Sequence, residues 1–147
     1  ARLGLQLGDR SWLLDPSDAA EVVPVPPLVR VPFTRPWFAG VAGIRGRLFG
    51  VVDLAAFFGG DPTEPGEATR LVIVAECRRI NCALLCTRVL GLLPGEQFVR
   101  DTDPAPAPAW VEGRYRDAEG QRWHALSMNA LLTHPDFIRI ELPGEAP

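Results

Sequence analysis

Turn-forming residues cut this chain into short pieces, and that constrains its fold more than any single motif. Breaks such as Gly8-Asp9-Arg10, Asp15-Pro16-Ser17-Asp18, Gly59-Gly60-Asp61-Pro62 and Ala118-Glu119-Gly120 recur about every 8–12 residues. The apolar stretches between them have the length and pattern of strands. Leu3, Leu5 and Leu7 alternate with Gly4, Gln6 and Gly8, the period of a half-buried strand, and Trp12-Leu13-Leu14 starts its return. Leu48 to Val52 and Leu71-Val72-Ile73-Val74-Ala75 are unbroken apolar runs suited to buried strands. Residues 80–86 read as the hairpin partner of the latter across Arg78-Arg79, and 110–115 with 121–126 read as a final hairpin. Pro24, Pro26 and Pro27 keep residues 21–27 out of a central strand, because proline has no N–H to donate to a ladder, and suit a sheet edge, the preferred reading, or an extended crossover.

Two short helices interrupt this pattern. Asp53 is a good N-cap for Leu54-Ala55-Ala56-Phe57-Phe58, which Gly59-Gly60 stops. Ser127 caps residues 128–132, and His134-Pro135 ends them. The two halves echo each other. Leu13-Leu14-Asp15 with Val22-Val23-Pro24 is repeated by Leu84-Leu85-Cys86 with Leu92-Leu93-Pro94, and residues 52–58 by 126–132. An offset of roughly 70 residues suits a duplicated small barrel, so the fold class expected is all-β.

A hydrophobic fraction of 47% with 22% charged residues is that of one globular domain, taken here as 1–147. A net charge of −3 offers no electrostatic case for nucleic acid. No apolar run reaches the roughly 18–20 residues of a membrane span. Three cysteines, an odd number, point to a reducing, cytoplasmic setting rather than a disulfide framework.

Candidate chemistry is sparse. Cys77, Cys82 and Cys86 lack zinc-ligand spacing, and Cys82 and Cys86 share one strand face with Leu84, so inert packing is expected. His124 and His134 have no acidic orienting neighbour in the pattern of a catalytic pair. No metal, cofactor or catalytic residue is expected; an enzyme using Cys and His brought together in space is the rival from another class. Trp110 and Trp123 are read as cross-strand packing partners, and Trp37-Phe38 as exposed aromatics.

One stretch stands apart: Gly40-Val41-Ala42-Gly43-Ile44-Arg45-Gly46, then an apolar run to Asp53-Leu54. Its glycines permit backbone angles that a β-carbon forbids, and Arg45 stands among them as either a surface or a binding residue. The stretch resembles the signature of CheW-like domains, the adaptors of bacterial chemosensory arrays, which reads G-V-x-N-x-R-G, an apolar strand, then D-L. Gly43 replaces the usual Asn and Gly50 a frequent Pro. Glu21-Val22 and the Val89/Leu92 pair fall in family order, with Thr87 where the family usually has Asp, and the likeness runs from Leu3 to Leu142.

The resemblance implies two small five-stranded SH3-like β-barrels packed side by side, with short helices closing each half. The first is expected over 15–60 and the second over 1–14 plus 70–142, joined by a linker loop at 61–69. It implies a non-enzymatic adaptor that binds the cytoplasmic tip of a methyl-accepting chemoreceptor and the regulatory domain of a CheA-type histidine kinase. Such an adaptor inserts in no membrane and is recruited to membrane-bound arrays. The receptor tip is expected in a groove between the barrels, with Val22, Val41, Val89 and Leu92 as apolar walls. Glu21, Gly40 and Arg45 lie in or beside that groove, and Trp37 is a candidate selector of the receptor. The kinase-facing surface has no motif. Trp37-Phe38-x-Gly40-Val41-Ala42, Trp110-Val111-Glu112-Gly113 and Asn129-Ala130-Leu131-Leu132 resemble the pilus, twitching-motility branch of the family. The flagellar branch and the regulatory domain of a larger kinase are the alternatives.

Overall fold

The computed structural model describes residues 1–143; residues 144–147 of the expected domain lie outside the described part. The first half holds strands β1 (Arg2–Leu7), β2 (Arg10–Leu14), β3 (Ala19–Pro24), β4 (Phe38–Ile44) and β5 (Arg47–Asp53), then helix α1 (Leu54–Phe57). The second holds β6 (Arg70–Val74), β7 (Cys82–Cys86), β8 (Arg88–Leu93), β9 (Val99–Arg100), β10 (Val111–Arg116) and β11 (Arg122–Leu126). Helices α2 (Met128–Thr133) and α3 (Pro135–Ile138) follow. No helix among the described residues is long and apolar enough to cross a membrane.

The strands form a six-stranded sheet in the order β8-β1-β2-β11-β10-β9 and a five-stranded sheet in the order β3-β6-β7-β5-β4. Apart from β9 the two sheets match position for position. In each, an edge strand lies antiparallel to a hairpin, whose second strand runs parallel to the second strand of another hairpin. Registers give the same match residue by residue: Leu3 pairs with Leu14 and Leu92, and Val72 with Leu84 and Val22. Val22 and Leu92 are thus equivalent, as the sequence echo has them, whereas Leu84 corresponds to Leu14 and not to Leu13.

The expected division of the chain needs correction. Strands β6 and β7, residues 70–86, belong with β3–β5 and not with the unit over 1–14 plus 70–142. The loop at 61–69 joins two strands of one sheet and links no barrels. After each leading hairpin the chain crosses over: β1-β2 sits in the six-stranded sheet but β3 in the five-stranded one, and β6-β7 sits in the five-stranded sheet but β8 in the six-stranded one. Neither sequence half forms a sheet by itself: the leading hairpin of each half pairs with the later strands of the other.

Because the middle strands are covered on both faces, they read as unbroken apolar runs rather than alternations. β7 is buried at all five positions. One core lies between the sheets and is built from Leu5 and Leu14 on one side, Val72, Leu84 and Cys86 on the other, and Leu54, Met128 and Leu131 from the helices. Each sheet also covers a core of its own, around Val51, Leu71, Ala83 and Leu85 in one case and Leu13, Trp123 and Ala125 in the other. A fully buried leucine contributes about 1.5–3 kcal/mol, so these three clusters carry the stability.

Two aromatic expectations change. Trp37 and Phe38 are not exposed: Phe38 is buried, and Trp37 stacks on Phe137 at 6.0 Å and meets the edge of Phe57 at 5.0 Å. Trp110 and Trp123 do not pair, since Trp123 lies opposite Tyr115 while Trp110 precedes β10 and packs on Phe57 and Phe58.

Candidate functional site

The signature stretch is a hairpin. Gly40, Val41, Ala42, Gly43 and Ile44 are strand residues of β4, and only Arg45-Gly46 turn the chain back into β5. Both turn residues have positive φ, 51° and 77°, the mirror-image two-residue turn whose twist matches that of the strands it joins. Arg45 is thus held by a tight turn and not by a flexible loop. Gly40 has a reason of its own: at φ 137°, a β-carbon there would come within 2.5 Å of the Val29 carbonyl oxygen. The long crossover from β3 lies across β4 at this point, with reciprocal Val29–Val41 backbone hydrogen bonds of 2.9 and 2.8 Å. Gly43 has neither positive φ nor a near neighbour, so the family's usual Asn would fit there.

Arg45 meets Glu21. Its guanidinium donates through Nη1 to Oε1 and through Nη2 to Oε2, the latter at 2.7 Å, in a two-pronged ion pair between the β4–β5 turn and edge strand β3. Next to it Arg47 donates to Glu76 at 2.7 Å and to Asn81 at 2.8 Å. These side chains, with Ile44, Phe49 and Ile80, line a cavity of about 490 Å³ at the open end of the five-stranded sheet. Every lining residue belongs to that unit, so the ion pair sits at its mouth and not between the sheets. The Arg45 side chain is 72% exposed, and a pair so open to water contributes less than about 1 kcal/mol. What it supplies is orientation, two oxygens and a planar cation held in one geometry.

The four apolar candidates behave as a set. Directly paired residues on neighbouring strands point to the same side of a sheet. Val22 pairs with Val72 and Leu92 with Leu3, and both partners belong to the core between the sheets. Val41 and Val89 pack against that core themselves. Val22 is nevertheless 39% exposed and Leu92 65% exposed, each on an edge strand. Two equivalent edge strands therefore present apolar side chains on their inter-sheet faces, uncovered. Trp37 shares the aromatic packing of α1 and α3 instead, and its carbonyl accepts from the Asp53 amide at 2.8 Å.

Asp53, the D of the signature, works inside the fold. Its buried carboxylate caps α1 by accepting from Ala56 and also accepts from the Thr63 amide and hydroxyl, each at 2.7 Å. Thr87, where the family usually has Asp, accepts from the Gly8 amide at 2.8 Å and pins the β1–β2 turn. Burial pushes the thiols of Cys82 and Cys86 up to about 12, which keeps them protonated and unreactive. Cys77 differs from the expectation of inert packing in being exposed. No group of three His, Cys, Asp or Glu side chains among the described residues is placed to hold a metal ion. Sequence reasoning also missed the ion pair between half-buried Arg78 and buried Asp18, at 2.8 Å, and a second crevice of about 800 Å³ beside the β1–β2 turn. Neither carries a spacing signal.

Comparison with known proteins agrees with this architecture. The chain is 28% identical to protein PilI of Pseudomonas aeruginosa over 142 residues, 94% of this chain and 78% of that protein. It is 29% identical to a probable chemotaxis protein CheW of Rhizobium etli over 91 residues, 62% of this chain and 58% of that one. The scaffolding protein TtCheW from Thermoanaerobacter tengcongensis has the same fold, with a TM-score of 0.71 at 21% identity over 86% of this chain and 88% of that one. The CheW-like domain family matches residues 2–136, and with that match over nearly the whole described chain, on two exchanged β-sheets, the protein belongs to the CheW-like domain family.

Proposed function

We propose that this chain is a non-enzymatic adaptor that couples the cytoplasmic tip of a methyl-accepting chemoreceptor to a CheA-type histidine kinase, in the chemosensory system that controls pilus-driven twitching. The observation that carries the receptor site is the pair of equivalent edge-strand residues, Val22 and Leu92, left exposed on the inter-sheet faces of their sheets. Helical hairpins dock through apolar side chains, with one or two charges to set register. Val41 and Val89 pack against the core between the sheets, and the Glu21–Arg45 pair, at the mouth of the five-stranded unit next to Val22 along β3, supplies charges at the rim of that contact. Gly40 contributes by letting the β3–β4 crossover lie close on β4, and Trp37 by supporting the hairpin from behind. Action by binding rather than chemistry is supported by the buried, protonated Cys82 and Cys86 thiols and by the structural duties of Asp53. The twitching branch is supported by similarity to PilI along 94% of the chain. On this reading the protein works in the cytoplasm, held at receptor arrays.

Substituting Leu92 with Asp, alone and with Val22→Asp, tests the site against purified receptor tip and purified kinase. Loss of tip binding with kinase binding intact is expected. Equal binding by wild type and double variant contradicts the assignment. In the native cell, gene deletion abolishes twitching and spares swimming; the reverse phenotype moves the protein to the flagellar branch.

A further inference from the structure

The crossover between β3 and β4 ends in an anomaly. Phe33 adopts φ 61°, a conformation bulky side chains rarely hold, and its ring is 82% exposed. The fold maintains this with several bonds to the C-terminal segment. The Phe33 carbonyl accepts from Leu142 at 2.9 Å, the Arg35 amide donates to Ile140 at 2.7 Å, and Arg35 Nε donates to the Arg139 carbonyl at 2.9 Å. Val31, Ile138 and Leu142 are exposed on the same two laced segments. Such backbone persists only where the surrounding structure holds it, and here what is held is an aromatic ring out in water, grouped with three other exposed apolar side chains. Arg30, Arg35 and Arg139 flank this knob, and none has an acidic partner among the described residues; Glu141 is the one carboxylate between them.

The same chain carries the complement. The crevice of about 800 Å³ beside the β1–β2 turn is walled by Trp12, Phe58 and Trp110, the first two stacked at 4.5 Å and the last two at 5.9 Å. Its rim holds Asp9, Asp61 and Glu64, none ion-paired among the described residues, against a single cation, Arg10. One surface is convex, apolar and rimmed by arginine; the other is concave, aromatic and rimmed by carboxylates. From this complementarity we infer that the Phe33 knob of one molecule enters the aromatic crevice of a second copy, giving a contact between unlike surfaces. It involves neither Val22, Leu92 nor the Glu21–Arg45 pair, so it stands independently of the receptor reading.

Sedimentation velocity on the purified chain, from micromolar to submillimolar concentration, tests this. Reversible self-association that weakens with added salt is expected. Phe33→Asp on the knob, and Asp61→Lys with Glu64→Lys on the crevice, each weaken it by at least about tenfold. Phe33→Gly removes the backbone strain, so it weakens association equally while its melting temperature stays at or above that of wild type. Mixing Phe33→Asp with the crevice variant restores association, because each brings the half the other lacks. A wild-type chain that stays monomeric throughout, a Phe33→Asp variant that associates like wild type, or a mixture that remains two monomers overturns the proposal. A monomer whose Phe33 knob instead retains it on anionic phospholipid vesicles also overturns it, and gives the knob to a membrane.

Discussion

The two sheets carry equivalent hairpins, β4–β5 and β10–β11, that turn by different means. At Arg45-Gly46 the backbone alone makes the turn, two residues with positive φ, and the arginine side chain is left to reach Glu21. At the other hairpin the turn is longer and is folded around Asp117. Its Oδ1 accepts from Glu119 at 3.0 Å and Gln121 at 2.9 Å, and its Oδ2 accepts from the Trp123 indole at 2.9 Å. Three of the roughly four acceptor sites of this carboxylate are taken up by its own turn and strand. One hairpin tip thus presents a charge to a neighbouring strand, and the other turns its charge back on its own loop.

The helix caps divide in the same way, and they give the largest expected effect. Asp53 and Ser127 occupy equivalent places, yet Asp53 accepts three bonds and is buried, whereas Ser127 accepts one, from Ala130 at 3.2 Å. Asp53→Ala therefore removes a cap and strands Thr63, and costs about 2–4 kcal/mol, while Ser127→Ala costs about 1 kcal/mol. Denaturant unfolding of the two variants measures the gap; equal losses erase the comparison.

Burial sharpens it next. Thiols at Cys82 and Cys86, pushed up to about 12 by desolvation, stay silent to a thiol reagent at pH 8 in the folded protein, while exposed Cys77 labels. Cys86→Ala costs about 1–3 kcal/mol through the lost sulfur contacts. Mass spectrometry of labelled native protein reads the first and unfolding the second.

The hairpin turns give a smaller effect. The Trp123 indole, with the Gln121 and Glu119 amides, holds the Asp117 carboxyl below its ordinary range. A folded-state value below the unfolded one means that this contribution is complete above the unfolded Asp value of about 3.9 and is lost as pH falls through the lower folded value. Asp117→Asn should lower the melting temperature by a few degrees at neutral pH, and the difference should shrink in that acid window. A gap that stays constant to low pH contradicts the role given to Asp117.

Much of this was legible in the chain, in uneven ways. Period-2 alternation and turn residues marked most strands, and both helix caps were readable because N-capping is local chemistry. The Arg45-Gly46 turn was obscured by Gly40 and Gly43: three glycines in seven positions suggested looseness, whereas only Gly40 and Gly46 meet a backbone need. The unit that holds β6 and β7 is not legible in the chain, because the parallel pairing of β5 with β7 is a long-range choice without a local signal. Trp37 looked like a surface residue since nothing in sequence shows that Phe57 and Phe137 close over it. Glu21 and Arg45 were singled out by resemblance; their contact, across 24 positions of sequence, appears only in the fold.

That contact is also the most direct test. Arg45→Glu should weaken binding of a purified receptor tip by at least about tenfold while thermal unfolding shifts little, since an exposed pair adds little stability. Reversing both charges, Glu21→Arg with Arg45→Glu, rebuilds the ion pair across the same strands. The account predicts that the double reversal recovers a substantial part of the lost affinity. A single reversal without effect, or a double variant as deficient as the single one, contradicts it.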